Sequence, residues 1–369
     1  MQNSKKRILI YGAGAIGRGY VPWLFNSDEF ELSFVEQNDG LRTALNQNKK
    51  YSTYRTKDST YEELICKFDH CYDSGEVNPK NFDFIITAVG PRQVFTLIDT
   101  FKDIDCPIIM FENDSSIPPK FRSITGKENF YFGIPDVITS NTAPDELLKK
   151  DSLNIITEDG VCFAESGAKE MGGNIEYVSP KEIDIQWAAK LYIHNTPHCI
   201  AAYLGALQGR NFLHEGMTDN VIYKIVEGAM MEMNKTIVSL FDIDKAFSDW
   251  YSDKELSRFS NTLLCDPISR VAREPFRKLG LEDRLIGAAQ LALSAGVIPK
   301  FLIMGIIAAF LYDDKNDEDH HISILLNSLT KEQFLNLIVR IQPHEALYKI
   351  MVKFWDESIN VLEKIKING

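Results

Sequence analysis

The chain has 369 residues, 44% apolar and 25% charged, which is ordinary for a globular protein and long enough for two domains with a core in each. A net charge of −12 argues against a nucleic-acid partner, because backbone binding needs a surplus of Lys and Arg, but one cationic pocket would still admit a small anionic substrate. The six cysteines (Cys66, Cys71, Cys106, Cys162, Cys199, Cys265) show no metal-ligand spacing and read as reduced thiols of a cytoplasmic protein.

The chain opens with MQNSKKRILIYGAGAIG, basic and then apolar. The apolar run is too short for a targeting segment and ends in glycines, so it reads as a first strand. RILIYGAG, ELSFVEQ, FDFIITAVG, CPIIMFEN and NFYFGIP then alternate with helical stretches. Their nearly continuous apolar character suits strands covered by helices on both faces. The prediction is a doubly wound α/β, Rossmann-type domain. LNIITE, VCFAES and NIEYVS are expected to extend its sheet to about residue 180.

From Pro180 the apolar spacing changes to the 3.6-residue helical period. KEIDIQWAAKLYIHN, DNVIYKIVEGAMMEMNKTIVSLF and KEQFLNLIVRIQPHEALYKIMVKFWDESINVLEKI are the clearest helices. SPKE, with an N-cap serine and a proline at the first helical position, places the domain boundary at 180/181. Residues 1–180 are thus expected to bind a dinucleotide, and 181–369 to form a mostly α-helical substrate domain. FLIMGIIAAFLY, from Phe301 to Tyr312, has about half the length needed to span a bilayer and reads as a buried helix. No membrane partner is expected, and the chain is read as a monomer or small homo-oligomer.

G-x-G-x-x-G occurs as Gly12, Gly14 and Gly17, directly after a strand and opening a helix. Gly12 permits a tight turn, Gly14 lets the backbone approach a pyrophosphate, and Gly17 allows close helix–strand packing. Ala15, Ile16 and Arg18 complete the candidate loop. Glu36 ends the second strand, where a carboxylate can accept the ribose hydroxyls and would repel a 2′-phosphate, so NAD is favoured over NADP. Arg42 is the one nearby cation that speaks for NADP. TAVGP, with Thr87, Ala88 and Val89, and FEN, with Asn113, end later strands at the same edge, the first near the nicotinamide half.

Hydride transfer also needs a group that takes the hydroxyl proton and donors for developing oxyanion charge. DHH, Asp319 to His321, lies in an acidic loop with diverging side chains, so it reads as a solvated loop, and no metal is expected. KLYIHNTPH offers Lys190 as a base, its pKa lowered by burial and by the positive nicotinamide ring. Asn195 and His198 fall within about 140° of arc on a straight helix, although Pro197 is expected to break or restart that helix. Taken alone, these residues suit a surface lysine, a capping asparagine and a core histidine better. Arg270, Arg273, Arg277 and Lys278 form a cationic run, with the three arginines on one face at helical spacing. That run suits a phosphate, or else a solvated face paired with Glu274, Glu282 and Asp283. Arg258 is a second candidate for the same role.

KLYIHNTPHCIAAYLGAL resembles the K-x-x-x-x-N-x-x-H signature of the polyol-specific long-chain dehydrogenases, most closely the branch acting on mannitol 1-phosphate. YGAGAIGRGY, TAVGP, FEN, RFSN and DPISRVAREPFRKLGLEDRLIGAA resemble that branch in the same order. The resemblance implies a Rossmann domain followed by a helical substrate domain, Lys190 as general base, and Asn195 and His198 completing the proton-handling set without a metal. Two positions depart from the family pattern. PDVITS retains Asp136, a candidate substrate contact, but has Val137 where relatives carry arginine, and Pro197 replaces the usual glycine. The expected reaction is NAD-dependent interconversion of a polyol phosphate and a ketose phosphate, with mannitol 1-phosphate and fructose 6-phosphate as the pair. A family member acting on an unphosphorylated polyol or sugar acid, and a non-catalytic NAD-binding sensor, stand as alternatives.

Overall fold

The computed structural model describes residues 5–140, 145–281 and 283–367. The chain divides into two compact units, residues 1–187 and 188–369. The division falls inside the helix α1 (Pro180–Ala189), not at its start as the Ser-Pro signal suggests.

In the first unit, β1 (Lys6–Tyr11), β2 (Phe30–Val35), β3 (Lys50–Lys57), β4 (Thr60–Lys67), β5 (Cys71–Tyr72), β6 (Phe84–Thr87), β7 (Ile108–Met110), β8 (Phe130–Asp136), β9 (Thr139–Ser140), β10 (Ile155–Glu158), β11 (Val161–Glu165) and β12 (Glu176–Val178) form two sheets. The larger has the order β12-β11-β8-β7-β6-β1-β2-β5, and every pair from β8 to β5 is parallel. Its apolar runs are continuous because both faces are covered. Ile8 and Ile10 enter one core with Phe34 and Ile86, while Leu9 and Tyr11 enter another with Val35 and Ile85.

VCFAES and NIEYVS extend this sheet as β11 and β12, with β11 antiparallel to β8. LNIITE does not. It forms β10 of a second sheet with the order β4-β3-β10-β9. The hairpin β3–β4, absent from the sequence reading, creates that sheet. It pairs from Lys50↔Lys67 to Lys57↔Thr60, and its polar-rich, alternating strands lack the apolar runs that mark a buried one.

The second unit is built of helices around α2 (Thr196–Leu207), whose residues from Thr196 to Gly205 are all buried. Around it are α3 (Asn220–Leu240), α4 (Lys245–Phe259), α5 (Lys300–Phe310) and α6 (Ala346–Ile367). The apolar run at 301–312 is α5, buried from Leu302 to Phe310. No helix among the described residues is long and apolar enough to cross a membrane. KEQF…EKI is not one helix: a π turn at Phe334–Ile338 is followed by Arg340 at φ 64°, and Pro343 intervenes before α6.

Candidate active site

The glycine loop sits at the carboxyl edge of β1, where the strand order reverses between β2 and β6. Gly12 has φ 95°, and a Cβ there would lie 2.5 Å from the Ala88 carbonyl oxygen. A Cβ on Gly17 would lie 1.9 Å from the Gly12 oxygen, so turn and helix touch through their backbones. At Gly14 nothing stands within 4 Å of an added Cβ. That open side faces a cleft lined by Gly12, Glu36, Gln37, Ser74, Ala88 and Val89. The helix opens as a π turn, Ala15–Tyr20, with Ala15 and Ile16 in its first positions.

Glu36 stands at the cleft and accepts hydrogen bonds from Ala13 N (3.0 Å) and Asn38 N (2.9 Å). Arg42 is committed elsewhere: it donates to the Glu36 carbonyl and pairs with Asp39 and Asp73. Arg18, expected at the cofactor, is turned away from it. Its buried guanidinium donates to the Ala13 and Leu153 carbonyls and lies over Tyr51, so the side chain braces the loop from within instead of facing the cleft. The glycine cradle and Glu36 fit an adenosine dinucleotide lacking a 2′-phosphate.

Thr87 is buried at the end of β6, with Ala88 and Val89 half-buried beyond it, and Asn113 is exposed after β7. Asp136 is buried at the end of β8, while Val137, in the arginine position of the relatives, packs into the core. Glu112, which the sequence reading passed over inside FEN, is 3% exposed and accepts from Val89 N (3.1 Å) and Gly90 N (2.7 Å). Burial pushes its carboxyl pKa up, against the pull of those bonds and of Thr87.

In the second unit Pro197 does not break the helix. Lys190–Asn195 form a π turn, Thr196 N bonds the Leu191 oxygen five residues back, and Pro197, with no N–H to give, takes the second position of α2. The wide turn raises Asn195 one turn above Lys190. Lys190 is half-buried; His194, Asn195 and His198 are buried.

Carboxylates satisfy both imidazoles. His198 Nε2 lies 2.9 Å from Asp266 Oδ2, and His194 Nδ1 is bonded to Glu255. The two rings are 4.8 Å apart, and His198 stacks on Phe259. Burial lowers the His198 pKa even with Asp266 beside it, so the ring is neutral near pH 7. Burial alone would raise the Asp266 pKa, but Arg270 and His198 hold it at about 2. His194, Glu255 and Asp266 were not among the residues singled out from sequence. The acid–base spacings Glu255–Arg258 and Asp266–Arg270 were the available signal.

The cationic run has no common face. Helix Ile268–Ala272 ends at Arg273, Glu274 turns left-handed at φ 56°, and Pro275–Lys278 starts afresh. Arg270 pairs with Asp266, Arg277 with Glu274 and Asp283, and Arg258 with Glu255. Glu282 lies outside the described residues. Lys278 is buried on the Val271 and Arg273 carbonyls, and burial lowers its pKa to about 7. Arg273 is exposed and has no ion pair among the described residues. The acidic loop is more than solvated: Asp317 and Asp319 accept from Glu274 N and Phe276 N, bracing this segment.

A Rossmann sheet with this glycine loop and Glu36, followed by a helical unit, defines an NAD-dependent dehydrogenase. The sequence matches the mannitol dehydrogenase Rossmann domain over residues 6–104 and the mannitol dehydrogenase C-terminal domain over residues 184–347; the chain belongs to the mannitol dehydrogenase family. It is 28% identical to a mannitol-1-phosphate 5-dehydrogenase of Caldanaerobacter subterraneus subsp. tengcongensis, over 84% of this chain and 87% of that one. It is also 28% identical to one of Thermoanaerobacter pseudethanolicus, over 96% and 98%. The fold is similar to that of Pseudomonas fluorescens mannitol 2-dehydrogenase, solved with NAD and D-mannitol, at a TM-score of 0.78 and 13% identity, covering 99% of this chain and 93% of that one.

Proposed function

We propose that the chain interconverts mannitol 1-phosphate and fructose 6-phosphate with NAD, using Lys190 as the base and no metal. The observation that carries this reading is the π turn Lys190–Asn195, which begins at Lys190, ends at Asn195 and leads directly into the helix of His198, itself held by Asp266. Bound NAD supplies the hydride acceptor. Neutral Lys190 Nζ takes the hydroxyl proton, and the Asn195 amide donates to the oxygen as its charge grows. Asp266 accepts a hydrogen bond from Nε2–H of neutral His198, leaving Nδ1 to accept from a substrate hydroxyl. Arg273, exposed and without an acidic partner among the described residues, is the cation we assign to the phosphate. The relatives' names support the phosphorylated substrate, and the six unpaired cysteines support a reducing cytoplasmic setting.

A panel followed by NADH absorbance tests this. Turnover of fructose 6-phosphate without fructose is expected. Turnover of fructose alone would replace the phosphate assignment, and silence with intact NADH binding would leave a sensor.

A further inference from the structure

Glu112 lacks the partner that a buried charge ordinarily has. Its carboxylate is 3% exposed, and no lysine or arginine among the described residues pairs with it. Buried carboxylates are normally paired with a cation, because a charge removed from water loses its hydration. Here each oxygen instead accepts one backbone N–H, from Val89 and from Gly90. Both oxygens acting as acceptors is the pattern of an ionised group.

Its place in the sheet indicates what could balance that charge. Glu36 directly follows β2 on one side of β1 and marks the adenosine-ribose end of the cleft. The glycine loop after β1 holds the middle, so the dinucleotide runs on towards the carboxyl ends of β6 and β7. Glu112 stands there, directly after β7, bonded to the loop that follows β6. Val89, one of the two residues it holds, lines the cleft.

We propose that Glu112 is a positioning residue that fixes the Val89–Gly90 loop and, through its uncompensated charge, favours the cationic oxidised nicotinamide over the neutral reduced one. Ligand charge thus supplies part of the balance that no side chain provides. The inference rests on NAD being the cofactor. Burial pushes the carboxyl pKa up, as expected of a group short of a counter-ion.

The test is direct titration of NAD+ and NADH against the wild type, Glu112→Gln and Glu112→Asp, each checked for folding by circular dichroism. Gln removes the charge and one acceptor, so the ratio Kd(NAD+)/Kd(NADH) should rise by about threefold or more. Asp keeps the charge but falls short of the two N–H groups, so both affinities should drop while the ratio holds. Equal weakening of both nucleotides by Gln, or no change in either, would overturn the proposal. If the Gln variant does not fold, the Asp variant decides: a held ratio supports the charge and a shifted one overturns it. Failure of the wild type to bind either nucleotide would instead remove the NAD reading itself.

Discussion

Gly14→Ala separates folding from cofactor binding. Gly14 has φ −79° and ψ −157°, open to alanine, and an added Cβ meets nothing within 4 Å. The fold should therefore be unharmed, or gain about 0.4–1 kcal/mol through a less flexible unfolded chain. The methyl would occupy the side from which a pyrophosphate must approach the loop N–H groups. Losing one charge-assisted hydrogen bond costs about 1.5–3 kcal/mol, so NADH affinity should fall by about 10- to 100-fold. Gly17→Ala is the contrast. Its Cβ would sit 1.9 Å from the Gly12 carbonyl oxygen, and backbone must move. Overpacking of that kind costs about 1–3 kcal/mol, and the shift reaches the loop itself, so both Tm and NADH affinity should fall. NADH fluorescence titration and thermal melts read both quantities. Wild-type NADH affinity in a folded Gly14→Ala would refute the path assigned to the pyrophosphate, and an unchanged Tm in Gly17→Ala would refute the close turn–helix contact.

Lys190→Ala should lower kcat by about 10² or more with NADH affinity unchanged, and a near-normal kcat would remove the lysine from the mechanism. Arg273→Ala should raise KM for fructose 6-phosphate without harming turnover of any unphosphorylated ketose; an equal loss on both would make the arginine structural. Asp266→Asn leaves Arg270 and His198 without their buried carboxylate and should cost about 3–5 kcal/mol in urea melts. Because the folded pKa of Asp266 lies at about 2, below its unfolded 3.8, its contribution is present above pH 4 and lost as pH falls through 2, and the Asn variant should lack that acid limb. Glu232 is buried and caps the first turn of α5 through Phe301 N and Leu302 N, and burial lifts its pKa to about 7 from an ordinary 4.5. Its contribution is full below pH 4.5 and fades as pH rises through 7, by about 3 kcal/mol in all, so in urea melts the fall in stability between pH 5 and 7 should be larger for the wild type than for Glu232→Gln.

The Rossmann sheet and its cofactor loop were legible in the sequence because their physics is local. A strand covered on both faces must be apolar throughout, and a turn bonded backbone to backbone must be glycine, so RILIYGAGAIG declared itself. The buried helix at 301–312 was legible for the same reason. Tertiary structure decided what depends on partners distant in the chain. LNIITE has the apolar run of a strand, but its sheet was set by a hairpin a hundred residues earlier whose half-polar strands carry no such mark. Arg18 has the right place beside the glycines, yet the carbonyl of Leu153 takes its guanidinium inward. The arginines at 270, 273 and 277 share helical spacing, but Asp317 and Asp319 pin a left-handed bend at Glu274 that separates them. Spacing along the chain fixes which side chains point the same way only while the backbone stays regular. Which of those charges is free for a ligand depends on the carboxylates folding brings to it: Asp266 for Arg270, Glu255 for Arg258, and none among the described residues for Arg273.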